Sequence, residues 1–128
     1  KTIEVLVDSN PFGAGNRYFI DGVAKKTLVV KAGQTYKFNV PNILNHPFKF
    51  STNENGQANP LDEYDTNVTV DGTEVTITIP SSGVSALYYY CEVHANMGGK
   101  IVILDQTAAS GGGILGGGGL GGGGGSGY

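Results

Sequence analysis

Sulfur and imidazole are scarce in this 128-residue chain, which has one Cys, one Met and two His. A single Cys excludes any internal disulfide, so the thiol is buried, reactive or metal-bound. No apolar run approaches the roughly 20 residues of a membrane-spanning helix, which excludes such a helix within this sequence. Basic residues are in the minority, 8 Lys and Arg against 11 Asp and Glu. The net charge of −3 and a pI near 5.2 argue against a nucleic-acid partner, which would favour a basic face. No stretch holds apolar residues at helical period, so no amphipathic helix is expected. The sequence starts at Lys1, with neither an initiator Met nor an apolar leader. It is read as processed, trimmed or excised from a longer protein.

What is present is a series of short alternating segments. In TIEVLV, Ile3, Val5 and Val7 alternate with Thr2, Glu4 and Leu6. RYFIDGVAKKTLVV carries Asp21-Gly22, a tight-turn pair between two strands. TYKFNV alternates Tyr36, Phe38 and Val40 with Lys37 and Asn39, and Pro41 ends it. Phe48 and Phe50 share one face of PFKFS. VTVDGTEVTITIP alternates Val75, Ile77 and Ile79 with Thr76 and Thr78, and ALYYYC and KIVIL are the last two strands. Between PFKFS and VTVDG lies a long polar loop at 53–67, with Glu54, Asp62, Glu63 and Asp65. That loop is either simply solvated or an acidic docking patch for a basic redox partner. About seven to eight short strands separated by turn signals predict an all-β sandwich.

The composition changes after Leu104. DQTAASGGGILGGGGLGGGGGSGY holds 13 of the 22 glycines. Glycine has no side chain to bury and the most backbone freedom to lose, so no core forms there. The chain is therefore divided into a domain at 1–105 and a Gly-rich tail or linker at 106–128. Two readings of the tail stand side by side. One is a flexible linker, in which residues 111–128 would span about 25 Å as a free coil. The other makes Ile114, Leu115, Leu120 and Tyr128 contact points on a neighbour in an assembly.

The scarce residues are not scattered. YYYCEVHANMGGKIVIL places Cys91, His94 and Met97 three residues apart in one turn between two strands. The remaining His, His46, lies far upstream in NILNHPFKF. Taken singly, each has an ordinary explanation: a buried small thiol, a surface imidazole, a core thioether. Together, a thiolate, two imidazoles and a thioether form a donor set suited to copper that alternates between Cu(I) and Cu(II). Holding three of the donors in one loop lowers the ordering entropy of such a site. Zinc accepts Cys and His but gains nothing from Met97. A Cys/His nucleophile pair would lack an oxyanion-hole motif and leave the Met idle.

His46 together with the C-x-x-H-x-x-M of Cys91, His94 and Met97 resembles the ligand set of the cupredoxin, or blue-copper, family. The flanking LYYYC, GGKIVIL and TYKFNV segments are similar too, and the resemblance covers about residues 1–105. It implies a Greek-key β-sandwich with one copper ion at one end, His46, Cys91 and His94 equatorial and Met97 axial. It implies an electron carrier and no enzyme. Within the family, RYFIDGVAKKTL, NHPFKFST and LYYYCEVHANMGG look like cupredoxin-like domains of marine phage and marine bacterial structural or surface proteins. That second likeness implies display on a larger extracellular or virion assembly, with neighbouring subunits or a redox partner as contacts. A free carrier and a metal-free structural domain are the alternatives, and the location would be extracytoplasmic or virion. One departure stands out. Many blue-copper proteins have Asn after the first His, and its backbone N–H donates to the Cys sulfur. Here Pro47 follows His46, and Pro has no N–H. The Val93 amide is left as the expected donor to sulfur, which would stabilise the electron-rich reduced site less than two donors do.

Overall fold

The computed structural model describes residues 2–9 and 16–106. The strands are β1 (Thr2–Glu4), β2 (Leu6–Ser9), β3 (Asn16–Ile20), β4 (Val23–Ala24), β5 (Leu28–Lys31), β6 (Thr35–Asn39), β7 (Phe48–Ser51), β8 (Val68–Asp71), β9 (Glu74–Thr78), β10 (Ala86–Cys91) and β11 (Gly99–Leu104). They form two four-stranded sheets, ordered β1-β6-β9-β8 and β5-β11-β10-β7, and a small sheet β2-β3-β4. The chain crosses between the two larger sheets at β5–β6, β6–β7, β7–β8 and β9–β10, a Greek-key path. The all-β sandwich read from the sequence is what the structure shows.

Period-2 alternation explains which side chains meet. Tyr36 and Phe38 of β6, Val75 and Ile77 of β9, Phe48 and Phe50 of β7, Leu87 and Tyr89 of β10, and Ile101 and Ile103 of β11 are all buried in one cluster. Burying each such side chain stabilises the fold by roughly 1.5–3 kcal/mol before conformational entropy is subtracted. The rings interlock. Tyr18 meets Phe48 edge-on at 5.1 Å, and Phe38 meets Phe50 edge-on at 5.6 Å.

More strand segments appear than the seven or eight expected, because long runs are broken. TIEVLV is interrupted at Val5, whose N–H donates to the Asn39 carbonyl. Before the break the chain pairs in parallel with β6, and after it antiparallel with β3. At the predicted turn, Asp21 and Gly22 take φ of 54° and 77°, the two positive values a tight two-residue hairpin turn requires.

The polar stretch at 53–67 is more than a loop. Two 3-10 turns, Gly56–Ala58 and Pro60–Asp62, pack on one another, and the first lies against β10. A Cβ on Gly56 would stand 2.7 Å from a ring carbon of Tyr90, so only glycine lets this turn cover that ring. Tyr90 is buried as a result, although its neighbours on the same face of β10 point outward. Glu54, Asp62, Glu63 and Asp65 remain exposed. The expected anchors Ile114, Leu115, Leu120 and Tyr128 lie outside the described residues, as does the tail apart from Gln106.

Candidate metal centre

Strand register brings the distant residues together. Cys91 ends β10 and pairs with Phe48 at the start of β7. His46 stands two residues before Phe48, so the antiparallel ladder delivers it beside the turn that follows Cys91. The other side of β10 pairs with β11 through Tyr89 and Gly99. The Cys91–Met97 turn therefore closes at the same end of the sandwich.

Ring nitrogen Nδ1 of His46 lies 3.8 Å from the Cys91 sulfur, and Nδ1 of His94 lies 3.5 Å from it. The ligating atoms of His46, Cys91 and His94 all fall within 4.8 Å of one another. Two donors bound at about 2.0–2.3 Å to one ion can be separated by no more than about 4.6 Å, so both Nδ1 to sulfur distances fit a shared ion. The imidazole rings stand 4.8 Å apart at 40°. Asn96 turns the chain at a φ of 60° just before Met97, a left-handed conformation that Asn tolerates. Met97 is 1% exposed and belongs to the same buried cluster as Cys91.

Exposure grades across the site. Cys91 is fully buried, His46 is nearly so and His94 is exposed. Burial holds the pKa of His46 below its ordinary value, and the charge of a protonated His94 lowers it further. His46 is therefore kept neutral near pH 7, the form in which a ring nitrogen can bind a metal. Asn16 Nδ2 lies 3.5 Å from His46 Nε2. If Nδ1 takes a metal, Nε2 carries the proton, and the Asn16 amide would then present its oxygen.

Tyr18 is a contact that the sequence did not single out. Its hydroxyl donates to the His46 carbonyl at 2.6 Å, and its backbone N–H donates to the Met97 carbonyl at 2.9 Å. Burial pushes the phenol pKa well up, and the Cys91 charge and a hydrogen bond to Cys91 push it further. A hydroxyl has a single proton to donate, and the short carbonyl contact takes it. Among the described residues, the Val93 amide expected to donate to sulfur is not one of the sulfur's hydrogen-bond partners, which are the ring nitrogens of His46 and His94. Pro47, which lacks an N–H, contributes its carbonyl instead, accepting from Glu92 N–H at 3.1 Å and tying the two ligand segments together. Glu92 itself is exposed and pairs with Lys49, which also reaches Glu63.

Gly98 allows the turn to lie this close to β10. A Cβ there would sit 1.6 Å from the Tyr89 carbonyl oxygen.

No protein-family model matches the chain, and no curated protein matches it. Among solved structures, the chain is similar to reduced rusticyanin, at 22% identity and a TM-score of 0.48, over 80% of this chain and 79% of that one. It is similar to rusticyanin from Thiobacillus ferrooxidans, at 19% identity and a TM-score of 0.46, over 80% and 77%. It is also similar to McoA multicopper oxidase from the hyperthermophile Aquifex aeolicus, at 15% identity and a TM-score of 0.44, over 80% of this chain and 26% of that one.

Proposed function

We propose that this domain holds one copper ion through His46, Cys91 and His94, with Met97 as a weaker fourth donor, and that it serves as a one-electron redox module. The observation that carries the reading is the convergence of three candidate donor atoms within 4.8 Å, with His46 brought from 45 residues upstream of Cys91. Copper would supply a reversible one-electron couple, since thiolate and thioether favour Cu(I) while imidazole accepts both states. The chain's own residues do the rest. Buried Cys91 and Met97 keep water from the sulfur side. Four protein donors leave no open position for a substrate, which fits a carrier and not an enzyme. Exposed His94 gives the site an edge toward solvent. Val93 beside it is 54% exposed, and Leu44, two residues before His46, is 92% exposed. An apolar rim of this kind suits brief contact with a redox partner.

We further propose that the domain is displayed on a larger extracellular or virion assembly. β11 runs from the ligand turn toward the far end of the sandwich, where Gln106 donates to the carbonyls of Pro80 and Val84 and Asp105 pairs with Lys31. The sequence after residue 106 thus continues from the end remote from the cluster, so a domain tethered there would present its metal end outward. A freely diffusing carrier is the second reading of the same site.

Adding Cu(II) to metal-free protein should give an intense visible thiolate-to-copper band. The band should vanish in Cys91→Ser and shift in Met97→Gln, because the colour needs a short copper–thiolate bond and the axial donor only tunes it. A colourless wild-type complex would sink the copper reading and favour zinc or no metal.

A further inference from the structure

The candidate donors come from separate segments: the connection between β6 and β7, and the end of β10 with the turn that follows it. Neither is held in place by its own sheet alone. β3 belongs to neither of the two larger sheets, yet its central residue, Tyr18, bonds to the connections that carry His46 and Met97. The hydroxyl donates to the carbonyl of His46, and the backbone N–H donates to the carbonyl of Met97. The ring is fully buried, meets Phe48 edge-on at 5.1 Å and lies 6.3 Å from Tyr89. That packing fixes the ring's direction, so the hydroxyl is aimed and not searching.

We propose that Tyr18 is the positioning residue of the cluster, setting His46 and Met97 relative to the Cys91 sulfur. The inference rests on the metal-centre reading for its purpose, though not for its geometry. The hydroxyl proton goes to the His46 carbonyl, so β3 ties down the residue before Pro47 from the side chain of another strand.

Tyr89 supplies the control. It is also buried, stands on β10 beside the same rings, and its hydroxyl donates to the Lys26 carbonyl at 2.7 Å. Its hydroxyl is directed to the connection between β4 and β5. Tyr18→Phe and Tyr89→Phe each remove one buried hydroxyl and strand one carbonyl, while keeping ring and backbone. Two readouts separate positioning from general loosening. The first is the alkylation rate of Cys91 in metal-free protein by iodoacetamide. Losing the Tyr18 hydroxyl should release the His46 segment and expose the thiol at least about fivefold more often, the effect of one stranded buried carbonyl. Tyr89→Phe should leave the rate near wild type. The second is the thiolate-to-copper band of Cu(II)-loaded protein, which should move in Tyr18→Phe and not in Tyr89→Phe. Equal alkylation rates in the two variants, or a Tyr18→Phe copper spectrum superimposable on wild type, overturn the proposal. Wild-type protein that takes up copper without colour would sink the copper reading alone. The alkylation comparison would then decide the positioning role by itself. Should Tyr18→Phe not fold, the wild-type protein carries the test: its Tyr18 hydroxyl proton should be visible by NMR in slow exchange with water. Its absence there would overturn the assignment.

Discussion

His46 shows how one side chain links stability to site chemistry. It is buried except for 8% of its surface and faces the Cys91 sulfur and the His94 ring. Burial first, and the His94 charge second, lower its pKa from 6.5. On acidification the unfolded chain therefore takes up a proton at about pH 6.5 that the folded chain takes up only at lower pH. The unfolded state binds more protons in that window, so stability is full above it and falls as the pH drops through it. We expect the urea midpoint of the metal-free protein to fall between about pH 7.5 and about pH 5.5, and to fall less in His46→Asn. An equal drop in both would show that other groups carry the effect. The four candidate donors stood out in the sequence because they exhaust the chain's Cys, Met and His, and because three share one spacing. Asn16 and Tyr18 did not. Neither residue type is scarce, and nothing in RYFID signals that strand β3 passes behind the ligand turn. Only tertiary pairing brings residues 16 and 18 to residue 46, so that part of the site lies beyond any local pattern.

At the scale of elements, alternation in β6, β7, β9, β10 and β11 could be read directly, since each buries one face in a common core. The break at Val5 could not, because TIEVLV alternates smoothly through it. The break comes from competition between β6 and β3 for the same chain, a tertiary effect. The 3-10 turn beside β10 and the one packed on it were likewise hidden, because Gly56 and Pro60 in a polar stretch read as loop punctuation. Close backbone approach makes the strongest element-level prediction. Gly98 lies directly after Met97, and a Cβ there would meet the Tyr89 carbonyl at 1.6 Å. That neighbour is backbone within the β10 ladder and cannot swing away. Gly98→Ala must therefore shift either β10 or the ligand turn, and overpacking of this kind costs about 1–3 kcal/mol or more. We expect a loss of at least about 2 kcal/mol by denaturant unfolding, with a displaced or absent thiolate-to-copper band. Wild-type stability and spectrum in Gly98→Ala would show that the turn does not pack as described. Gly22→Ala is the contrast: nothing lies within 4 Å of its would-be Cβ. The strain there comes from its positive φ alone, at a turn remote in sequence from the donors, so the copper band should not move.

For the whole molecule, the two ends of the sandwich have different work. One end gathers His46, Cys91, His94 and Met97. β11 then carries the chain six residues away to Leu104, a rise of roughly 20 Å at strand geometry. Beyond Gln106 the sequence is dominated by glycine, interrupted by Ile114, Leu115, Leu120 and Tyr128. Fixing such a segment costs roughly 1–2 kcal/mol per residue in backbone entropy, and four apolar side chains cannot offset that alone. A repeated contact across many copies could, since each docked copy raises the effective concentration for the next, and glycine permits close backbone approach. The display reading therefore predicts a clean separation. Removing residues 107–128 should leave the unfolding midpoint and the copper band unchanged, because Gln106 already closes the sandwich against Pro80 and Val84. It should abolish any higher assembly, read by sedimentation of full-length and truncated chains. Replacing Ile114, Leu115 and Leu120 together with Ser should weaken assembly in the same direction. Full-length protein that sediments as a monomer even at high concentration and with copper bound would favour the freely diffusing carrier. Truncation that unfolds the sandwich would move the domain boundary beyond residue 106 and make the glycine segment part of the fold.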